Sequence, residues 1–143
     1  MFPAARTQDV EAEQLKLELR LALLEGQEQA QDTFIGFSRY VWPEAIISSH
    51  HELMAKAFDR IADGTLKRLI VNIPPRHTKS EFASYLLPAY IMGRKPQTKI
   101  IQATHTGELA VRFGRKVRNL MDLDKYKEVF SGVALKADSK AAG

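Results

Sequence analysis

The chain has 143 residues, 45% of them apolar, and no cysteine, which allows one globular core and excludes disulfide frameworks, thiolate metal sites and cysteine nucleophiles. Its apolar runs, such as residues 69–71, are broken by Arg, Asn or Pro far short of the roughly 20 residues that span a bilayer. Residues 1–6 run into Asp9, Glu11 and Glu13 without the apolar stretch of a secretory signal, so the expected setting is a reducing cytoplasm.

Residues 9–32 are mostly Glu, Gln, Leu, Ala, Lys and Arg without proline, and predict an N-terminal helical extension. Residues 33–47 mix Phe34, Phe37, Tyr40 and Trp42, which are expected in the core, and the periodic part ends at Pro43. Ser48 and Ser49 followed by Glu52 read as a capping-box helix start. Leu53, Ala57, Phe58 and Ile61 then recur at helical spacing until Asp63-Gly64. Residues 66–73 are a short apolar run stopped by Pro74, which predicts a buried strand. A helix over residues 80–92 with a kink at Pro88, a second strand over 98–104 and a helix over 107–121 complete the pattern. Strand, helix, strand in this order predicts an α/β fold built on a parallel βαβ unit. Residues 131–143 are polar and weakly patterned, and read as unfinished rather than folded. Charge divides the chain as well. Residues 1–66 hold 6 basic and 11 acidic side chains, whereas residues 67–143 hold 15 and 6, so the second half is suited to an anionic partner or to a solvated basic surface.

Chemistry concentrates in Ile73-Pro74-Pro75-Arg76-His77-Thr78-Lys79-Ser80, where the first predicted strand meets the next helix. Free N–H groups and the positive end of a helix dipole converge at such a junction and favour phosphate. Lys79 would reach the β- and γ-phosphate oxygens and the Ser80 hydroxyl would ligate Mg²⁺. The usual phosphate-loop pattern has glycine at positions 73 and 78, where this chain has Ile73 and Thr78. The alternative is a basic polar turn capped by Ser80. His50, His51, His77 and His105 show no zinc-type spacing.

Residues 68–84 closely resemble the ATPase domain of the large terminase subunit of tailed bacteriophages, whose deviant Walker A often reads Pro-Pro-Arg-His-Gly-Lys-Ser. Tyr40-Val41-Trp42-Pro43, His51-Glu52-Leu53, residues 100–106 and Glu108-Leu109-Ala110 are similar to the same family, so the resemblance covers about residues 33–143. It implies a P-loop NTPase-like sheet fragment preceded by N-terminal helices, with residues 1–32 as the extension and 33–143 as a partial ATPase domain ending before Walker B. It implies a motor that couples ATP hydrolysis to movement of double-stranded DNA into a capsid in the host cytoplasm. Its expected partners are the small terminase subunit, the portal and further copies in a ring.

By the same resemblance, Lys79 and Arg76 are the catalytic residues, Ser80 is the Mg²⁺ ligand, and Pro75, Arg76, His77, Thr78, Lys79, Ser80 and Glu81 contact ATP. Trp42, Pro43 and His51 lie where adenine is often held, although core packing for Trp42 and an exposed surface position for His51 are the ordinary readings. Thr106 is expected to cap the helix that follows it, and Arg112, Arg115, Lys116 and Arg118 form a basic face. No apolar run ending in paired acids follows Lys79, and Asp122, Asp124 and Glu128 read as helix-end surface charges. The expectation is therefore ATP binding without turnover by this chain alone. A non-catalytic DNA- or partner-binding module and a fragment of another P-loop kinase or helicase are the competing readings.

Overall fold

In the computed structural model residues 4–136 are described, with side chains from Asp9 onward. Among the described residues the regular elements are all helices, with no strand. Helix α1 (Ala4–Asp32) leads into α2 (Phe34–Val41) and α3 (Ser49–Asp63). A π-helical turn (Glu81–Leu86) then runs into α4 (Leu87–Arg94), followed by α5 (Gly107–Asp122) and α6 (Asp124–Val129).

The α/β expectation is thus corrected. Residues 66–73 and 98–104 are non-helical, as their β-branched content suggests, but no ladder joins them to anything among the described residues. Their burial still alternates with period two: Val71 and Ile73 lie against the core while Ile70 and Asn72 are exposed, and Ile100 and Gln102 are half-buried while Ile101 is 96% exposed. Composition encoded the local backbone; the neighbouring strand that makes a sheet is a non-local requirement. Side chains anchor these stretches in place of a ladder.

The clearest example lies behind the candidate loop. Helical backbone is continuous from Lys79 to Arg94. Pro88 has no N–H to offer the carbonyl of Ser84 four residues earlier, and the chain widens into the π turn immediately before it. The Ser84 carbonyl accepts instead from Gln102 Nε2 at 2.6 Å, which fastens the 98–104 stretch to this helix. A kink was expected at Pro88; what the structure shows beside it is this widening.

Capping explains the other boundaries. Thr33 Oγ1 accepts from Gly36 N–H at 3.1 Å and starts α2, and a Cβ on Gly36 would lie 2.2 Å from the Gln29 carbonyl, so only glycine fits this corner. Gly64, in the left-handed region at φ 85°, ends α3 as predicted. Thr106 Oγ1 accepts from Leu109 N–H at 3.3 Å and caps α5, also as predicted.

The core is aromatic. Phe34 has no exposed surface and meets Phe58, Phe82 and Tyr90 edge-on at centroid distances of 5.1, 5.7 and 5.6 Å. Phe37, Tyr126 and Phe130 extend the cluster toward α6. Each such ring contributes roughly 1.5–3 kcal/mol by burial, with a smaller increment from edge-to-face geometry. At the centre, Asp59 Oδ1 accepts from Phe34 N–H at 2.7 Å and from the Tyr90 hydroxyl at 3.3 Å. Burial raises the Asp59 carboxyl above its ordinary range, and these hydrogen bonds only partly oppose that. Arg94 lies over the Tyr90 ring at 5.4 Å and pairs with Asp63 at 2.9 Å.

Helix α1 behaves differently along its length. Its last turns are tied in by buried Ala30 and by Gln31 Nε2 donating to the Val129 carbonyl at 2.6 Å. Further back, Leu15, Leu17, Leu19, Leu21, Leu23 and Leu24 are all exposed. Of the expected polar tail, Val133 and Leu135 pack on the core, and residues 137–143 lie outside the described residues.

Candidate phosphate-binding loop

Residues 73–81 curl around a hollow of about 410 Å³ that they alone line. The consecutive prolines Pro74 and Pro75 hold the entry away from helical conformation. Arg76 at φ 68° and Thr78 at φ 54° are the only non-glycine residues in the left-handed region among those described. Such a conformation costs an L-residue roughly 1–2 kcal/mol, with β-branched side chains the least suited to it. Backbones of this kind, with left-handed residues between ordinary ones, form concave nests of N–H groups that suit anions. The first hydrogen bond of the following helix runs from Phe82 N–H to the Thr78 carbonyl at 3.0 Å, so the N–H groups of Lys79, Ser80 and Glu81 precede it.

Position 78 is where the usual phosphate-loop pattern has glycine, and the chain adopts there the conformation glycine favours. Thr78 is held in it from outside the loop. The Thr78 hydroxyl lies 2.5 Å from His51 Nε2, and the other ring nitrogen, Nδ1, accepts from Ser48 N–H at 3.0 Å. His51 is therefore buried, 5% exposed, and corrects the reading of an exposed surface histidine. It also takes the capping-box role expected of Glu52, which instead pairs with Arg39 at 3.3 Å on the surface. The helical face is correspondingly rotated: Met54, Ala55, Phe58 and Ala62 are buried, and Leu53 is 73% exposed. Burial first, then the neighbouring His50 and His77, lower the His51 pKa below its ordinary 6.5. The sign at residue 51 was present in the sequence, three positions after the cap at Ser48, but glutamate at 52 was the more familiar signal.

The remaining loop side chains divide between free and engaged groups. Arg76 is exposed, and Lys79 is half-buried at the rim. His77 Nδ1 lies 3.0 Å from the Pro75 carbonyl. Glu81 is bound by Lys116 at 2.8 and 2.9 Å, which brings α5 against the end of the loop. Trp42 is half-buried, beside a hollow of about 150 Å³ that Glu81 and Tyr85 share, while Pro43 is exposed. Thr104 and His105 are exposed, and neither lines the hollow of the loop. On α5, Arg112 and Arg115 are exposed, Arg118 is half-buried and Lys116 is taken by Glu81. Asp122 pairs with Lys127 at 3.1 Å, and Glu128 accepts from the Tyr40 hydroxyl at 2.7 Å, so both serve the surface as expected.

A larger hollow, about 570 Å³, lies between α3, α4 and residues 98–104. Its one charged lining side chain, Lys95, is spent on the Ala62 carbonyl at 2.6 Å, so it offers little to an anion. Among the described residues no group of His, Asp and Glu forms a metal-binding cluster, and no helix is long and apolar enough to cross a membrane. The donor set of the 73–81 loop, a lysine, an arginine, a hydroxyl and helix-start N–H groups, suits phosphate oxygens. For Mg²⁺ it supplies only the Ser80 hydroxyl, since Glu81 is engaged, and the rest of the coordination would come from the nucleotide and water. Compared with known proteins, the chain matches no family model, no curated protein and no solved structure.

Proposed function

We propose that residues 73–81 bind the phosphates of ATP, with Lys79 on the β- and γ-phosphate oxygens, Ser80 toward Mg²⁺ and Arg76 as a further cation at the rim. The observation that carries this reading is the left-handed backbone at residue 78, immediately before Lys79 and Ser80 open a helix onto the concavity that residues 73–81 line. The loop's local geometry supports it without a sheet, because the anion-attracting groups belong to the turn and the helix start. Mg²⁺ would supply charge neutralisation at the phosphates. Together with the terminase-like Pro-Pro-Arg-His-Thr-Lys-Ser sequence, this geometry supports reading the chain as the nucleotide-binding portion of a viral DNA-packaging motor. Its own expected activity is binding without turnover, because no apolar run ending in paired acids follows Lys79.

Titration of the full chain with a fluorescent ATP analogue in Mg²⁺ tests the proposal. Saturable binding should weaken about tenfold or more in Lys79→Ala, as loss of a charge-assisted contact implies. Inorganic triphosphate should compete and adenosine should not. Binding that is indifferent to Lys79→Ala overturns the assignment. The exposed Arg112 and Arg115 on α5 favour a second reading, a module that grips duplex DNA. Salt-sensitive DNA binding unaffected by ATP and by Lys79→Ala would select it.

A further inference from the structure

The left-handed Thr78 is held by a side chain outside the loop. His51 sits in the first turn of α3, buried between the rings of His50 at 3.9 Å and Phe82 at 4.8 Å. Its Nδ1 accepts from Ser48 N–H, and an imidazole nitrogen that accepts carries no proton. The neutral ring therefore bears its proton on Nε2, and that N–H donates to Thr78 Oγ1. One tautomer thus satisfies the start of α3 and, through its other edge, holds the strained residue of the loop. A left-handed threonine persists only where its surroundings secure it.

We infer that His51 is a positioning residue that latches the phosphate loop in its neutral form and releases it on protonation, so that proton binding at this ring regulates the affinity of the loop for nucleotide. The inference rests on the reading of residues 73–81 as a phosphate site. On protonation Nδ1 becomes a donor aimed at the Ser48 N–H donor. The ring must then move, and it withdraws its Nε2–H from Thr78. The titratable groups that face it are His50 from α3 and His77 from the loop, both of which oppose a second positive charge; the π turn presents only the Phe82 ring. Burial works in the same direction.

The test uses the full chain and two readouts. In NMR spectra without nucleotide, His51 should show an unprotonated Nδ1 and a protonated Nε2, and the Thr78 amide signal should titrate together with His51 below pH 6.5. In His51→Ala and in Thr78→Val that response should vanish. In titrations with the ATP analogue, affinity of the unaltered protein should fall about three- to tenfold as pH drops through the His51 transition, the size of one hydrogen bond. His51→Gln, whose amide oxygen can accept from Ser48 and whose amide nitrogen can donate to Thr78, should keep the high-pH affinity and follow only the nucleotide's own protonation. A Thr78 amide that ignores His51, or equal affinities in the unaltered protein and His51→Ala across the range, overturns the latch. A responding amide with no nucleotide binding at any pH upholds the latch and overturns the phosphate reading.

Discussion

The aromatic core and the 73–81 loop are neighbours built on opposite principles. Phe34, Phe58, Phe82 and Tyr90 are each held by several partners, and no single contact defines the cluster. The loop has two left-handed residues, an exposed arginine and one bond from a buried histidine. Phe82 belongs to both regions, with a core face toward Phe34 and a ring under His51. The difference teaches that stability here is distributed, while the shape of the candidate site hinges on individual atoms.

Substitutions at three positions sharpen that contrast. Phe34→Ala should cost about 3–5 kcal/mol, because it empties the centre of four packed rings. Against a typical total of about 5–15 kcal/mol, this is a large loss of denaturation midpoint. A loss below about 1 kcal/mol would show that the cluster does not carry the fold.

Asp59→Ala should cost about 1–3 kcal/mol by stranding Phe34 N–H and the Tyr90 hydroxyl, whereas Asp59→Asn keeps an accepting oxygen and should cost less than about 1 kcal/mol. The pH dependence separates them further. With its folded pKa raised above 3.8, Asp59 binds a proton more tightly folded than unfolded, so its contribution is lost as pH rises through that raised value. Asp59→Asn should flatten this part of a stability-versus-pH curve measured by urea unfolding.

Thr78→Gly should move stability by no more than about 1 kcal/mol, because relief of the left-handed strain offsets loss of the His51 bond. A substitution that barely shifts the unfolding midpoint but detaches the Thr78 position from His51 would mark the loop as separable from the core; a loss as large as that of Phe34→Ala would erase the distinction.

Much of the helical framework was legible in the sequence because its signals are local. Thr106 and Gly64 act through neighbours three residues away. Pro88 was readable as a disturbance, but its resolution needed Gln102, fourteen positions on. The strands were misread for a related reason: Ile70 and Ile101 lie in stretches with strand composition, and nothing in either stretch states whether a ladder partner lies alongside. At the site, the turn and its helix start were anticipated, but the left-handed backbone at residue 78 was not, because a β-branched threonine in place of glycine argues for an ordinary conformation there. His51 was not, because its partner lies 27 residues away and it also serves as a cap.

The single oxygen of Asp59 has a consequence for the order in which the chain assembles. Its donors come from the start of α2 and from α4, while the carboxylate itself belongs to α3. Any intermediate that docks two of these helices leaves a buried polar group without its full complement, so partial assembly gains little. The three elements are thereby tied together through one oxygen, and Phe82, which follows the loop, packs on Phe34 at the same junction.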